Sequence, residues 1–67
     1  DGGGVAGTVL LSVNPEIEMD YDDAGNVVAL TGRNQEAQTL LASYTGYEGK
    51  ACTTVIGELV DEMEQLV

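Results

Sequence analysis

The sequence has no histidine, tryptophan or phenylalanine, and only one cysteine, one proline and two cationic side chains in 67 residues. Each shortage closes off a class of function. Without histidine, zinc sites of the usual kind cannot be built, and a thiol nucleophile lacks its usual base. One cysteine, Cys52, cannot form an intrachain disulfide. Arg33 and Lys50 stand against 12 acidic residues, for a formal net charge of −10. Binding DNA or RNA requires cations that displace phosphate counterions, and two are too few. The same shortage disfavours anionic membrane surfaces. No apolar run approaches the roughly 20 residues of a membrane span. The start, Asp1-Gly2-Gly3-Gly4, is neither basic nor apolar and does not read as a signal peptide.

What is present points to one small folded domain. A chain of this length buries only about 60% of the surface its unfolded form exposes, so stability is marginal. Proteins of this size often add disulfides, a metal or a partner. Here stability has to come from packing, or from the rest of a longer protein. High charge with few aromatics is also a disorder signature. Against that, 43% of the residues are hydrophobic, and they are patterned.

Residues 1–4 read as a flexible lead or cloning remnant, and residues 5–67 as a single α+β domain. Val9, Leu11 and Val13 recur at period two, which suits a half-buried strand. Leu10 adds an apolar residue to the other face, so the strand is expected to be covered on both sides. Asn14-Pro15 interrupts the pattern, because proline lacks the donor a central strand needs. In the next segment Ile17, Met19 and Tyr21 face one way, and Glu16, Glu18, Asp20 and Asp22 the other. Asp23-Ala24-Gly25-Asn26 supplies turn residues, and Val27-Val28-Ala29-Leu30-Thr31 returns as a strand.

Asn34 is placed to cap a helix from Gln35 to Ser43 that buries Ala37, Leu40 and Leu41. Tyr44 to Gly49 reads as a loop. From Lys50 to Leu66, the residues Cys52, Val55, Ile56, Leu59, Val60, Met63 and Leu66 form one apolar helical stripe. Gly57 weakens that helix by about 1 kcal/mol relative to alanine, and is expected to allow close packing on the sheet. The helix has no C-cap before the chain ends, which reads as truncation. The expected fold is a small antiparallel β-meander of about three strands, followed by two helices on one face.

Several residue groups carry chemistry worth weighing. The acidic ladder Glu16, Glu18, Asp20 and Asp22, with Asp23 beyond it, offers oxygen ligands for Ca²⁺. Gly25 even stands sixth from Asp20, but Thr31 occupies the twelfth position, where a calcium loop needs a bidentate glutamate. A solvated face whose charge blocks edge pairing is the favoured reading. Paired carboxylates for glycoside hydrolysis need a pocket, for which so short a chain has little room. Cys52 lies on an apolar stripe and reads as a small core residue. Tyr44 and Tyr47 suit either a carbohydrate-stacking surface or a lid on the core, and the lid is the commoner use. No metal or cofactor is expected.

Asn14-Pro15 is the group with the most specific chemistry. Most such pairs are turn punctuation. Asparagine ageing ordinarily uses the next residue's backbone nitrogen, and proline has no N–H to offer. The reverse attack stays open: the Asn14 side-chain nitrogen attacks its own main-chain carbonyl and expels the Pro15 nitrogen. In a flexible peptide this is very slow. A fold can speed it by straining the bond and holding the attacking atom in line. A pair squeezed between two strands is a plausible place for that.

These residues also carry a resemblance. Val9-Leu10-Leu11-Ser12-Val13-Asn14-Pro15-Glu16-Ile17-Glu18 resembles the strand, V-N-P-S-I-E, strand signature of the middle domain of RsgI-type anti-sigma factors. Asp23-Ala24-Gly25-Asn26-Val27-Val28 looks like that family's N-x-x-G-x-V hairpin, and Asn34 with Leu40-Leu41 is similar to its N-x-x-G-x-x-L-L helix. Position 16 is Glu where the family often has Ser, Gln35-Glu36-Ala37 lacks the usual glycine, and the typical Gly-Tyr end is absent.

The resemblance implies an extracellular domain of a membrane-bound anti-sigma factor. A cytoplasmic segment would hold a SigI-like sigma factor, one transmembrane helix would follow, and a sensory module often lies beyond. The partners are then the rest of the same protein, with the sigma factor engaged only through the cytoplasmic part. No nucleic acid and no membrane insertion by this segment is expected. Family members are described as cleaving themselves at the Asn-Pro bond. By this resemblance Asn14 is the nucleophile and scissile residue and Pro15 the leaving group. The fold would supply the strain, and residues 5–14 would stay attached by strand pairing and by burial of Val9, Leu11 and Val13. The rival reading is an inert structural spacer or protein-interaction module with no cleavage.

Overall fold

In a computed structural model, which describes residues 4–65, three strands precede two helices: β1 (Gly7–Val13), β2 (Glu16–Tyr21), β3 (Val27–Gly32), α1 (Gln35–Ser43) and α2 (Cys52–Glu64). The sheet is an antiparallel meander in the order β1-β2-β3. The fold class is therefore the α+β arrangement expected from the pattern. The lead at residues 1–3 and Leu66, the last expected member of the helical stripe, lie outside the described residues.

Residues directly opposite in an antiparallel pair share a face. The register Val9–Met19–Leu30 and Ser12–Ile17–Gly32 therefore defines one face, and Leu10–Glu18–Thr31 and Thr8–Asp20–Ala29 the other. The helices cover the first face. Ile17, Met19, Val27 and Leu30 from the sheet meet Ala37 and Leu40 of α1, Tyr44, and Val55 and Leu59 of α2 in one core. The second face is open. It carries the acidic row Glu16, Glu18 and Asp20, as the alternation of β2 requires.

The first strand departs from its expected pattern. The pairing shifts between Leu10 and Ser12, leaving Leu11 as the extra residue of a bulge. An extra residue breaks the period of two. Val13 therefore pairs with Glu16 on the open face and is 75% exposed, instead of following Val9 and Leu11 inward. Val9 lies on the helical face but at the edge the helices do not reach, and it too is exposed. Leu11 alone of the three packs against the core, half-buried. Leu10 is 49% exposed, so β1 is not covered on both sides. The helices occupy one face only and leave Leu10 beside Glu18 in solvent.

Asn34 caps α1 as expected, its side chain accepting from the Ala37 N–H. Gly32 explains how closely α1 approaches β3: a Cβ there would stand 2.8 Å from the Gln38 nitrogen and 2.9 Å from the Ala37 carbonyl carbon. Gly57 shows the opposite. Nothing lies within 4 Å of a Cβ built on it, so it makes no close approach to the sheet. The α2 stripe is also narrower than its sequence suggests. Val55 and Leu59 are buried and Cys52 and Met63 lean on the core, but Ile56 and Val60 are exposed. A three-stranded sheet already shared with α1 is too small to cover the whole stripe.

Candidate functional site

The Asn14-Pro15 pair forms the entire connection between β1 and β2. Val13 pairs with Glu16 across it, so it is a two-residue hairpin turn. The peptide bond between the two residues is cis. Asn14 is exposed, and its side-chain amide makes no hydrogen bond among the described residues. Pro15 is half-buried.

The two sides of the turn are held unequally. On the carboxyl side, Glu16 is gripped at both backbone groups. Its N–H donates to the Asn34 Oδ1 at 3.2 Å, and its carbonyl accepts from the Arg33 N–H at 2.8 Å. The same Asn34 oxygen accepts from the Ala37 N–H at 2.9 Å. Glu16 is thereby tied to the start of α1, and the next residue, Ile17, is fully buried. On the amino side, β1 is held among the described residues by its ladder with β2, continued by the Ala6 N–H to the Tyr21 carbonyl at 2.7 Å, by the exposed hydrogen bond from the Thr8 hydroxyl to Asp20, and by the partial burial of Leu11. None of its seven residues is fully buried.

The other sequence candidates are placed apart from this turn. In the acidic ladder, the Asp20 Oδ1 accepts from the Thr8 hydroxyl at 2.7 Å. The Asp22 Oδ1 accepts from the backbone N–H groups of Ala24 and Asn26 at 3.0 and 2.9 Å, which closes the β2–β3 turn around Gly25 at φ +83°. No three acidic or thiol side chains among the described residues converge on a point where a metal would sit. No pocket opens among the described residues for a sugar. Cys52 is half-buried in the first turn of α2.

Tyr44 is a core residue that stacks on Tyr47, with ring centroids 5.7 Å apart. That is the lid arrangement. Its hydroxyl donates to the Glu58 Oε1 at 2.7 Å, and the Lys50 ammonium donates to the same oxygen at 3.0 Å. Burial, then the hydrogen bond to the Glu58 carboxylate, pushes the Tyr44 phenol well above the ordinary tyrosine range. The Tyr44 hydroxyl and then the Lys50 ammonium hold the Glu58 carboxyl below its usual range.

Asn34 was legible as a helix cap, but its second role at Glu16 was not. The contact spans 18 positions, and no local pattern encodes a partner that distant.

A family described as the anti-sigma factor RsgI-like central domain matches residues 6–66. The match takes in all three strands, both helices and the Asn14-Pro15 turn. No curated protein matches the chain. No solved structure matches it.

Proposed function

The chain belongs to the family of anti-sigma factor RsgI-like central domains, and from that premise we propose that it is a severable link. In this reading it lies on the extracellular side of a membrane-bound anti-sigma factor. It cuts itself at Asn14-Pro15, keeps the two pieces together by strand pairing, and lets them part when an outside signal separates them. Parting exposes the membrane-side stump to proteases and frees a SigI-type sigma factor held by the cytoplasmic part.

The observation that carries this reading is the asymmetry of the hairpin. β2 and β3 supply Ile17, Met19, Val27 and Leu30 to the core, whereas β1 supplies no fully buried residue. If the chain is cut after Asn14, β1 is retained by backbone hydrogen bonds and the exposed Thr8–Asp20 hydrogen bond, each worth only about 1 kcal/mol net, and by the partial burial of Leu11. Such a strand survives a cut and can still be drawn off without dismantling the core.

The chemical step needs no water and no partner. The Asn14 Nδ2 attacks the Asn14 main-chain carbonyl carbon, and a new C–N bond closes a five-membered imide. The bond from that carbon to the Pro15 nitrogen breaks. One proton passes from Nδ2 to the Pro15 nitrogen, which leaves as a secondary amine. Asn14 becomes a C-terminal succinimide and Pro15 a new N-terminus. Holding one reacting side in place accelerates an intramolecular reaction, and the leaving side of the turn is fixed at Glu16 by Asn34 and Arg33.

The test is intact mass after long incubation at neutral pH, for the parent chain and Asn14→Ala. The expected result is two fragments from the parent, meeting between Asn14 and Pro15 and summing to the parent mass, or to that mass plus one water once the imide has hydrolysed, and one intact species from Asn14→Ala. The fragments should co-elute in native buffer and separate in denaturant. A parent that stays whole makes the domain a passive spacer.

A further inference from the structure

We propose that Asn34 is a positioning residue of the Asn14-Pro15 site, an inference that rests on the self-cleavage reading above. Its side-chain oxygen takes two N–H groups at once, from Glu16 at 3.2 Å and from Ala37 at 2.9 Å. The first belongs to the residue immediately after the leaving Pro15, and the second to the first turn of α1. Arg33 completes the grip by donating its backbone N–H to the Glu16 carbonyl at 2.8 Å.

The consequence lies in what moves and what stays during cleavage. For the Asn14 nitrogen to reach its own carbonyl, the leaving nitrogen of Pro15 has to be held still while Asn14 rotates. Asn14 is exposed and its side chain unbonded among the described residues, so the mobile half is present. Pro15 has no N–H of its own to anchor. The nearest anchorable donor on the leaving side is the Glu16 N–H, and Asn34 takes it. Through the same oxygen the helix layer and the turn are coupled. Once the chain is cut, this bond also holds the new end at Pro15 against β3 and α1, so separation proceeds by loss of β1 and not by fraying of β2.

A capping asparagine stabilises a fold wherever it sits, so loss of stability alone does not identify the role. Asn34→Asp keeps the acceptor oxygen, Asn34→Ala removes it, and Val55→Ala weakens the core far from the turn. Fraction cleaved against time is read by intact mass for these and the parent. Exchange of the Glu16 amide is read in the uncleavable Asn14→Ala background, with and without Asn34→Ala. We expect Asn34→Ala to slow cleavage roughly tenfold to a hundredfold, the scale on which small misplacements act. Asn34→Asp should stay near the parent rate, and Val55→Ala should lower the melting temperature without slowing cleavage comparably. The Glu16 amide should exchange faster when Asn34 is lost.

An Asn34→Ala variant that cuts at the parent rate, or a Val55→Ala variant slowed as much, overturns the positioning role and leaves self-cleavage standing. An unchanged Glu16 exchange rate overturns the coupling. A parent that never cuts removes both readings together.

Discussion

Glu58 draws two scarce donors to one carboxylate, the Tyr44 hydroxyl and the Lys50 ammonium. Both bonds favour its charged form, which is why its pKa falls below the usual range. The linked stability is present above the unfolded carboxylate value and is lost as pH falls through the lower folded value. Tyr44 has the opposite sign. Its folded pKa is raised, so its contribution is full below the ordinary tyrosine value of about 10 and is lost as pH rises beyond it. Tyr44→Phe should therefore lower the melting temperature at pH 7 and flatten the alkaline limb of a melting-temperature profile. An alkaline limb as steep as the parent's removes Tyr44 as its source. Two glycines give a second check. Gly57 sits in a helix interior with open space beside it, so Gly57→Ala should stabilise by up to about 1 kcal/mol, or about 4–8 °C for a domain this small. Gly32 lies against the backbone of α1, so Gly32→Ala should destabilise by about 1–3 kcal/mol. Thermal melts of both variants decide it. Residue type alone does not separate these two glycines, because the difference lies in what the rest of the chain brings alongside them.

At the scale of elements, β1 is the one of the five with no buried residue. Leu11 is its one apolar side chain packed on the core, and the bulge there turns Val13 away. Leu11→Ala should cost about 1–2 kcal/mol, less than the 2–5 expected at a fully buried leucine. In a chain cut after Asn14 it should also speed release of the β1 fragment, measured by size exclusion after dilution. Leu59→Ala, in the core, should cost the full amount without selectively speeding release. Equal release from both variants means that β1 has no separate stability. Local pattern was enough to read much of this architecture. Strand β2 alternates cleanly, α1 begins after a capping Asn34 and buries Ala37 and Leu40, and the α2 stripe centres on Val55 and Leu59. Within the run Val9, Leu11, Val13, only Val13 was placed on the wrong face, because a bulge is set by pairing with β2, not by composition. The stripe of α2 was read too wide because the area of the sheet beneath it is a property of the whole fold. The Asn14-Pro15 turn was legible as a proline between two strands, and its Asn34 clamp was not.

Across the whole molecule the dominant long-range force is repulsion among 12 acidic residues. Arg33 pairs with Glu18 at 3.5 Å and Lys50 with Glu58 at 3.0 Å, so neither cation is left to offset the others. Both pairs are at the surface, where an ion pair is worth about 0–1 kcal/mol. The acidic row on the open face then has one clear physical use, keeping apolar side chains such as Leu10 and Val13 from meeting those of another copy. This repulsion acts against compactness and is screened by salt. The screening length is about 30 Å at 0.01 M and about 8 Å at 0.15 M. The first exceeds the 19 and 16 Å minor dimensions of the fold, and the second does not. Raising salt across that range at pH 7 should therefore raise the melting temperature. The gain should shrink near pH 4, where ordinary carboxylates are about half protonated. A calorimetric melt at each of the four conditions tests this. A rise at pH 7 that fades at pH 4 identifies carboxylate repulsion as the main destabilising term. Equal rises at both pH values point instead to salting-out, which strengthens burial of the apolar surface that unfolding would expose, here the core of Ile17, Val27, Val55 and Leu59.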